Sequence, residues 1–184
     1  MSSFSKKSER IGLFIDGANF FATTKQLSFV PDYKLLLDYF QQQKGDLKKA
    51  AYYTGIVEDT APNPLVPMLD YLEYNGWDVV TKPAKVWINS ATGERKIKGN
   101  LDLELAVDVI DSITYLDRVY LFSGDGDFTA LVKWVQRHGV KVTVVSTIKT
   151  NPPMCADELR RQASDFLDVH ELCQFVSRQR KTRA

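Results

Sequence analysis

The sequence predicts an α/β fold, an open and mostly parallel sheet of about five strands with helices on both faces. Short unbroken apolar runs recur along the chain, as expected for strands buried on both faces, and helical stretches separate them. Strands that alternate with helices of about 10 to 15 residues form parallel sheets through crossover connections. The 184 residues match one domain in length, and 44% of them are hydrophobic, which supplies a core without disulfides or a structural metal.

The first strand is predicted at residues 11–15, where the run IGLFI ends at Asp16 and Gly17. Glycines that can end helices follow two of the predicted helices, at Gly76 and Gly139. Further strands are expected at residues 49–56, 77–81, 118–122 and 140–145. Helices are expected at residues 32–43, 64–75, 100–112, 128–138, 157–163 and 170–178, and long loops at residues 58–64 and 82–99, the second rich in lysine and arginine.

The charged residues nearly balance, with a net charge of +1, although the C-terminal end holds four basic residues and no acid. The two cysteines, Cys155 and Cys173, stand far apart and lack the closely spaced ligand pairs of a zinc finger. They could form a disulfide, but we expect two free thiols in a reducing cytoplasm. Residues 1–10 lack the apolar stretch of a signal peptide, and no apolar run approaches the roughly 18 residues of a membrane span. We therefore expect a cytoplasmic protein without a membrane partner.

Aspartates stand directly or shortly after the ends of two of the predicted strands. Asp16 follows the first strand in the string DGAN, and Asp125 and Asp127 follow the fourth strand in SGDGDF. Ligands of open α/β sheets bind at the carboxyl ends of the strands, where these residues are expected. Each aspartate could instead cap a helix, but one cap does not account for two carboxylates, and the glycines around Asp125 allow the backbone to approach a ligand closely.

Asp102 stands near the start of the helix predicted at residues 100–112. It shares one helical stripe with apolar residues that are expected to pack on the sheet, and a carboxylate on such a face needs a cation or a hydrogen-bond donor. The apolar members of the stripe are Leu105, Ala106, Val109, Ile110 and Ile113. Glu104, Asp108 and Asp111 lie on the opposite face and are expected to be solvated, with Asp108 kept as a secondary candidate for the site.

Four aspartates at one edge of a sheet repel each other unless a divalent cation neutralises them. Ligands that are all oxygen favour Mg²⁺ or Mn²⁺ over zinc. A cation held by Asp16, Asp102, Asp125 and Asp127 could orient water and stabilise the charge on a phosphate during in-line attack. The sequence therefore predicts chemistry on phosphate esters rather than nucleophilic catalysis by serine or cysteine.

Three strings, DGAN at residues 16–19, KGNLD at residues 98–102 and SGDGDF at residues 123–128, together resemble the NYN domain, in the LabA-like branch of the PIN-like nuclease superfamily. The resemblance covers residues 9–170 and includes the string LRRQASDF near its end. Residues 171–184 are expected to form the end of a helix and a disordered basic tail.

The resemblance implies a PIN-like, Rossmann-like fold and metal-dependent endonucleolytic cleavage of RNA. It assigns Mg²⁺ or Mn²⁺ to Asp16, Asp102, Asp125 and Asp127, and it gives Asn19 the role of supporting Asp16 in the catalytic centre. The expected partner is RNA in single-stranded form. The sequence does not indicate an oligomeric state.

This chain lacks residues that several other enzyme classes require. A haloacid-dehalogenase-type phosphatase needs a second aspartate where this chain has Ala18. The glycine-rich string of dinucleotide-binding proteins and the lysine-bearing phosphate loop are both missing, so no nucleotide cofactor is expected. One alternative stays open, a non-catalytic RNA-binding or regulatory module with the same fold, and metal-dependent turnover of RNA would separate it from a nuclease.

Basic residues between the third strand and Asp102 are the predicted contacts with RNA. Lys85, Arg95, Lys96 and Lys98 lead, together with Lys82, into the helix that carries Asp102, so they could bind phosphates near the acids. A solvated loop is the alternative for these residues. Trp87 lies in the same stretch and either stacks on a base or packs against the protein.

Overall fold

The computed structural model describes residues 8–57, 63–88, 95–98 and 100–178. The strands in these residues are β1 Arg10–Asp16, β2 Asp46–Ile56, β3 Asp78–Pro83, β4 Lys85–Ile88, β5 Arg95–Lys98, β6 Arg118–Phe122, β7 Lys141–Ser146 and β8 Asp165–Asp168. Six of them form one sheet in the order β3-β2-β1-β6-β7-β8, in which all neighbours are parallel. β4 and β5 pair antiparallel as a separate hairpin.

Helices connect the strands of the main sheet. They are α1 Gly17–Gln26, α2 Tyr33–Gln43, α3 Val66–Tyr74, α4 Asp102–Ser112, α5 Thr129–Arg137, α6 Asp157–Gln162 and α7 Val169–Val176, and a 3-10 turn at Gly126–Phe128 precedes α5. Several helices begin at an aspartate cap. At the start of α2, for example, the carboxylate of Asp32 accepts hydrogen bonds from the backbone N–H groups of Lys34 and Leu35 at 3.0 and 3.1 Å.

The main sheet is buried between two layers of helices. Successive side chains of β1 point to opposite layers: Ile11, Leu13 and Ile15 pack with residues of α1, α2, α3 and α7, whereas Phe14 packs with residues of α4, α5 and α6. All of these β1 side chains are fully buried. Because both faces of the strand are covered, its sequence is an unbroken apolar run rather than an alternating one.

The order of the strands reverses beside β1. From β1 the chain moves outward to β2 and β3, and it later returns to place β6 on the other side of β1, followed outward by β7 and β8. In open α/β sheets such a reversal creates a crevice outside the carboxyl ends of the strands. Asp16 ends β1 and Ser123 directly follows β6, so both residues lie at this switch point.

A network of ion pairs covers the opposite edge, where the central strands begin. The guanidinium of Arg118, at the start of β6, contacts the Asp165 carboxylate and donates to Oε2 of Glu9 at 2.7 Å and to Oγ1 of Thr143 at 2.8 Å. The ammonium of Lys141 lies 2.8 Å from the second oxygen of Glu9. The hydrogen bond from Arg118 is the main reason why the pKa of Glu9 lies below its ordinary value. Neighbouring side chains therefore balance the charges at this edge.

The predicted fold class is confirmed, while several individual elements differ from expectation. β8 is a sixth strand of the main sheet, and α1 is a helix expected only under the alternative in which Asp16 is a helix cap. The prediction of a long loop at residues 82–99 is wrong for the described part of that range, because β3 extends to Pro83 and the β4–β5 hairpin follows it. Residues 89–94 and 99 of the predicted loop lie outside the described residues. A two-stranded antiparallel hairpin does not require the apolar run of a doubly buried strand, so the pattern did not reveal it. Of the loop predicted at residues 58–64, residues 58–62 lie outside the described residues.

The final helix, α7, is part of the folded core. Its residues Val169, Leu172 and Val176 are fully buried, and beyond it the backbone of Ser177 pairs with Pro31. Most of the tail predicted to be disordered, residues 179–184, lies outside the described residues. No helix in the part of the chain that the structure describes combines the length and apolar character needed to cross a bilayer.

Candidate active site

Asp16 lies where β1 passes into α1. Its Oδ1 accepts a hydrogen bond from the backbone N–H of Asn19 at 3.1 Å, which caps α1. Its Oδ2 accepts a hydrogen bond from Oγ of Ser123 at 3.0 Å. The cap that was considered as an alternative for Asp16 is therefore real. The second oxygen of the same carboxylate connects β1 to the loop after β6.

Asn19 and Ser123 join the two central strand ends. The side-chain oxygen of Asn19 accepts a hydrogen bond from the backbone N–H of Gly124 at 3.0 Å. Ser123 is buried, and its Oγ also accepts a hydrogen bond from the backbone N–H of Asp125 at 3.2 Å. Asn19 thus contacts Asp16 through its backbone and the opposite loop through its side chain.

Gly124 is a point of very close approach between two backbone segments. A Cβ atom on this residue would lie 1.8 Å from the carbonyl oxygen of Met154 and 2.8 Å from Cα of Cys155. The carbonyl of Gly124 accepts a hydrogen bond from the backbone N–H of Ala156 at 2.9 Å. The absence of a side chain at Gly124 therefore accommodates another part of the chain, whereas the sequence suggested room for a ligand.

Asp125 and Asp127 occupy different positions in the loop after β6. Oδ1 of Asp125 accepts a hydrogen bond from the backbone N–H of Asp127 at 3.0 Å and caps the 3-10 turn. Asp125 lines the crevice at the switch point, whereas Asp127 is exposed and is not one of its lining residues. Asp127 is near enough for its charge to raise the pKa of Asp102.

Asp102 reaches the crevice from the first turn of α4. Its backbone N–H donates to Oδ1 of Asn100 at 2.7 Å, and its own Oδ2 accepts a hydrogen bond from Nδ2 of Asn100 at 2.6 Å. This pair of hydrogen bonds fixes the orientation of the Asp102 carboxylate relative to the start of the helix. The third acidic segment of the crevice is therefore also held by a neighbouring polar side chain.

The buried face of α4 differs from the predicted stripe. Leu105 and Val109 are buried as predicted, but Ile110 is 39% exposed. Asp108, which was predicted to be solvated, is half-buried, and its Oδ2 accepts a hydrogen bond from the Tyr53 hydroxyl at 2.7 Å. That bond satisfies a hydroxyl that would otherwise be buried without a partner. Burial is the main reason why the pKa of Tyr53 lies well above its ordinary value, and the contact with Asp108 adds to the rise.

Three of the predicted acids, Asp16, Asp102 and Asp125, line a single crevice of about 750 Å³. Its described lining consists of Asp16, Ala18, Asn19, Tyr53, Thr54, Gly55, Lys82, Pro83, Asn100, Leu101, Asp102, Leu105 and Asp125. The ammonium of Lys82 lies 2.7 Å from Oε1 of Glu104 and forms no ion pair with these aspartates. Among the side chains that the structure describes, which exclude those of residues 85–99, none forms an ion pair with Asp16, Asp102 or Asp125.

Burial and mutual repulsion both act on these carboxylates. Burial raises the pKa of Asp16 above its ordinary value, and the charges of Asp102 and Asp125 add to the rise. Burial is also the largest cause of the raised pKa of Asp102, with further contributions from Asp125 and Asp127. Hydrogen bonds to both carboxylates act in the opposite direction. The fold therefore holds acids from three segments close enough for their charges to interact.

The remaining oxygens of the acids suit a hard divalent cation that keeps several water ligands. Oδ1 of Asp102 and Oδ2 of Asp125 accept no hydrogen bond from the side chains that the structure describes, which exclude those of residues 85–99. Mg²⁺ is commonly held by one or two carboxylates and several waters. No three acidic, histidine or cysteine side chains in those same residues converge to enclose a metal ion. The donor set thus fits an open, hydrated site, and a complete cage of four aspartates stays a prediction.

The predicted RNA contacts belong to the β4–β5 hairpin. In the hairpin register, Lys85 pairs with Lys98, Trp87 with Lys96, and Ile88 with Arg95. β5 ends four positions before Asp102, which is at most about 14 Å of extended chain. The backbone therefore brings these basic residues to the vicinity of the crevice, and phosphate binding by their side chains stays a prediction.

Three polar residues of the site had no assigned role in the sequence, namely Ser123, Asn100 and Tyr53. Ser123 is a small hydroxyl residue directly after a buried strand, and Asn100 stands two positions before Asp102, where asparagine often bonds to a helix start. The sequence positions of Ser123 and Asn100 could therefore have identified both as candidate residues of the site. Tyr53 had no comparable signal, because its partner Asp108 is 55 positions away in sequence.

The parallel sheet and the aspartate-lined crevice at its switch point define an α/β domain of the PIN-like class. The model of the NYN domain family matches residues 10–172, and the chain belongs to this family. The low amplitude and bright protein LabA of Synechococcus elongatus is 30% identical over 171 residues, which cover 92% of this chain and 88% of that relative. This similarity supports the LabA-like branch that the sequence motifs indicated.

A solved structure supports the same fold. A protein of unknown function from Vibrio parahaemolyticus is 27% identical and superposes with a TM-score of 0.69. The match covers 92% of this chain and 96% of the Vibrio chain. Agreement over nearly the whole of both chains confirms the α/β architecture.

Proposed function

We propose that this protein is a Mg²⁺- or Mn²⁺-dependent endoribonuclease that hydrolyses phosphodiester bonds of single-stranded RNA in the crevice. The observation that carries the proposal is the meeting of Asp16, Asp102 and Asp125, from three separate segments, in one crevice. Membership in the NYN domain family supports it. The cytoplasm stays the predicted location, in keeping with the free thiols of Cys155 and Cys173.

In this proposal Asp16, Asp102 and Asp125 hold the cation, and Asp127 completes the set. A divalent cation bound there would lower the pKa of an attacking water and offset the charge of the phosphate. Asp108 is the least suited of the candidate acids, because the Tyr53 hydroxyl already engages its carboxylate.

The surrounding hydrogen bonds keep the acids in fixed orientations before substrate arrives. Ser123 and the backbone of Asn19 hold the Asp16 carboxylate, Asn100 holds Asp102, and the cap of the 3-10 turn holds Asp125. Fixed donors and acceptors need little rearrangement during the reaction, which favours catalysis. The proposed role of Asn19 in the catalytic centre is to fix the separation between Asp16 and the loop at Gly124.

The alternative proposal is a non-catalytic RNA-binding or regulatory module. The observation on its side is the incomplete convergence of acidic side chains into a metal site within the described residues. Under this alternative the crevice binds RNA without turnover, so binding and cleavage must be measured separately.

The direct test uses the full chain and an RNA that carries a label at one end. We expect internal cleavage of single-stranded RNA with Mn²⁺ or Mg²⁺ and none in EDTA. Single-stranded DNA of the same sequence tests whether cleavage requires ribose in place of deoxyribose. Metal-dependent cleavage that co-purifies with the protein would support the nuclease, while RNA binding without cleavage under every metal condition would favour the alternative.

The repulsion between the acids predicts an unusual effect on stability. In EDTA near pH 7, Asp102→Asn is expected to melt at or above the temperature of the parent, because asparagine retains an oxygen that can accept the hydrogen bond from Asn100 but carries no charge. The raised pKa of Asp102 means that the folded state binds its proton more tightly than the unfolded state. The contribution of Asp102 to the stability of the parent should therefore fall as the pH rises from about 4 through that raised pKa, and the variant should lack this loss.

Thermal unfolding between pH 4 and pH 8 measures this effect, with Asp157→Asn as the control. Arg160 lowers the pKa of Asp157, so this control should melt slightly below the parent at pH 7. Added Mn²⁺ should stabilise the parent by about 2.7 kcal/mol at a hundredfold excess over Kd, and Asp102→Asn by less. A parent whose melting temperature does not respond to Mn²⁺, together with a destabilised Asp102→Asn, would argue for purely structural acids.

The hairpin residues Lys96 and Lys98 are predicted to bind phosphates of the RNA. Replacing both with alanine should weaken binding and reduce the slope of log affinity against log salt by about 1 to 2, as two lost phosphate contacts require. Fluorescence anisotropy across a salt series measures this slope. An unchanged slope would assign the two lysines to a solvated hairpin instead.

A further inference from the structure

Lys82 is the one cationic side chain among the described residues that line the crevice. It lies near the carboxyl end of β3, beside Gly55 of β2, which also lines the crevice. About half of the Lys82 side chain, 51%, is exposed. The other charged side chains of the described lining are aspartates, so Lys82 is the group there that would attract an incoming anion.

The ion pair between Lys82 and Glu104 differs from the pair between Arg118 and Glu9 at the opposite edge of the sheet. Oε1 of Glu104 accepts the hydrogen bond from the ammonium, but Oε2 is buried without a hydrogen-bond partner in the described residues. Arg118, by contrast, is held by several partners and is only 13% exposed. An exposed pair with one unsatisfied oxygen contributes little to stability, so a stronger anion can displace Glu104 from Lys82.

We propose that Lys82 binds a backbone phosphate of the RNA that occupies the crevice, and that Glu104 competes with this phosphate for the ammonium. The inference rests on the proposed function, because it takes RNA as the occupant. Glu104 stands two positions after Asp102 on α4, so the competition takes place next to one of the acids of the site. Lys82 then extends the binding surface from the switch point towards β2 and β3, and Glu104 lowers the affinity for RNA.

The test is RNA binding by the full chain in EDTA, where cleavage does not interfere, with a fluorescent single-stranded RNA of fixed length over a salt series. Lys82→Gln is expected to weaken binding about 3- to 10-fold at low salt. It should also reduce the slope of log affinity against log salt by about 0.7, the value for one contact with a single strand. Glu104→Gln is expected to strengthen binding about 1.5- to 5-fold, the equivalent of one exposed ion pair.

The double variant tests the competition itself. If Glu104 acts by holding Lys82, the gain from Glu104→Gln should disappear when Lys82 is already glutamine. If the gain persists in full, Glu104 only repels the RNA and the proposed competition is wrong.

Lys141→Gln is the matched control, because Lys141 is also half-exposed and paired with a glutamate, but at the opposite edge of the sheet. If the slope of log affinity against log salt is the same for Lys82→Gln and Lys141→Gln, and both variants melt like the parent, the proposed role of Lys82 is wrong. A parent that does not bind RNA would overturn the proposed function and this inference together. Binding that depends on Lys82 in a protein that cleaves no RNA would support the inference and reject the nuclease.

Discussion

If the proposed function is correct, replacing Asp125 with asparagine is expected to lower the rate of RNA hydrolysis by more than about 100-fold while the protein stays folded and still binds RNA. Loss of a partner in the outer shell of a metal site costs roughly 10- to 100-fold, and loss of a direct ligand should cost more. Asparagine can still accept the hydrogen bond from the backbone of Asp127, so the cap of the 3-10 turn is retained. The change thus removes the charge and leaves the local structure in place.

Asp32→Asn is a matched control for Asp125→Asn. Asp32 also caps a helix through its carboxylate, but it is not one of the described residues that line the crevice. Single-turnover cleavage assays of both variants, purified in the same way as the parent, give the comparison. If folded Asp125→Asn cleaves as fast as the parent, the activity comes from a contaminant or the centre lies elsewhere.

A second large effect is expected from Gly124→Ala, which should destabilise the fold by about 3 kcal/mol and lower the melting temperature by roughly 6 to 12 °C. The added methyl group would lie 1.8 Å from the Met154 carbonyl oxygen, and a backbone atom cannot move aside as a side chain can. The segment must shift, which also disturbs the hydrogen bond from Gly124 to Asn19. Activity should therefore fall together with stability.

Gly126→Ala serves as the control in the same loop. Its added methyl group would meet Oε1 of Glu158 at 2.5 Å, which is the end of a flexible side chain that can rotate away. Denaturant unfolding should show a small loss for this variant and a large one for Gly124→Ala. Equal losses would mean that the loop after β6 tolerates no side chain for a reason other than contact with Met154.

The fold class could be predicted because the central strands are covered on both faces. β1 and β6 pack apolar side chains against both helical layers, so their sequences IGLFI and RVYLF stand out from the polar segments around them. The aspartates at the ends of these strands could be predicted for the same reason. Once a strand end is located, the next residue lies at the edge where the crevice forms.

The missed elements lack this signal. α1 begins with glycine and contains asparagine and two adjacent threonines, which are weak helix formers, so tertiary packing of Phe20 stabilises it. β8 is a strand of four residues at the edge of the sheet, and its sequence DFLD is apolar only at its centre. Short edge strands owe their pairing to the neighbouring strand, which the local sequence does not show.

The side-chain contacts of the site were harder to predict than its acids. The helical stripe on α4 placed Asp102 on the face that meets the crevice. It assigned Asp108 to solvent, because the helical period of 3.6 residues shows which residues of α4 share a face but not which residues of other elements pack against it. The partner of Asp108, Tyr53, belongs to β2, and only the packing of α4 on the sheet brings the two together. Pairs that are distant in sequence need the folded structure.

The hydrogen bond between Ser123 and Asp16 joins residues that are 107 positions apart. A ribosome therefore completes α4 before the loop that orients Asp16 has been made. A nascent chain at that stage carries Asp16 and Asp102 but lacks β6, which forms one wall of the switch point. Under the proposed function, the messenger being translated is exposed to an assembled cutting centre only when about two-thirds of the chain has been synthesised. Under that proposal, the division of the site between distant segments delays activity until the loop after β6 has been made.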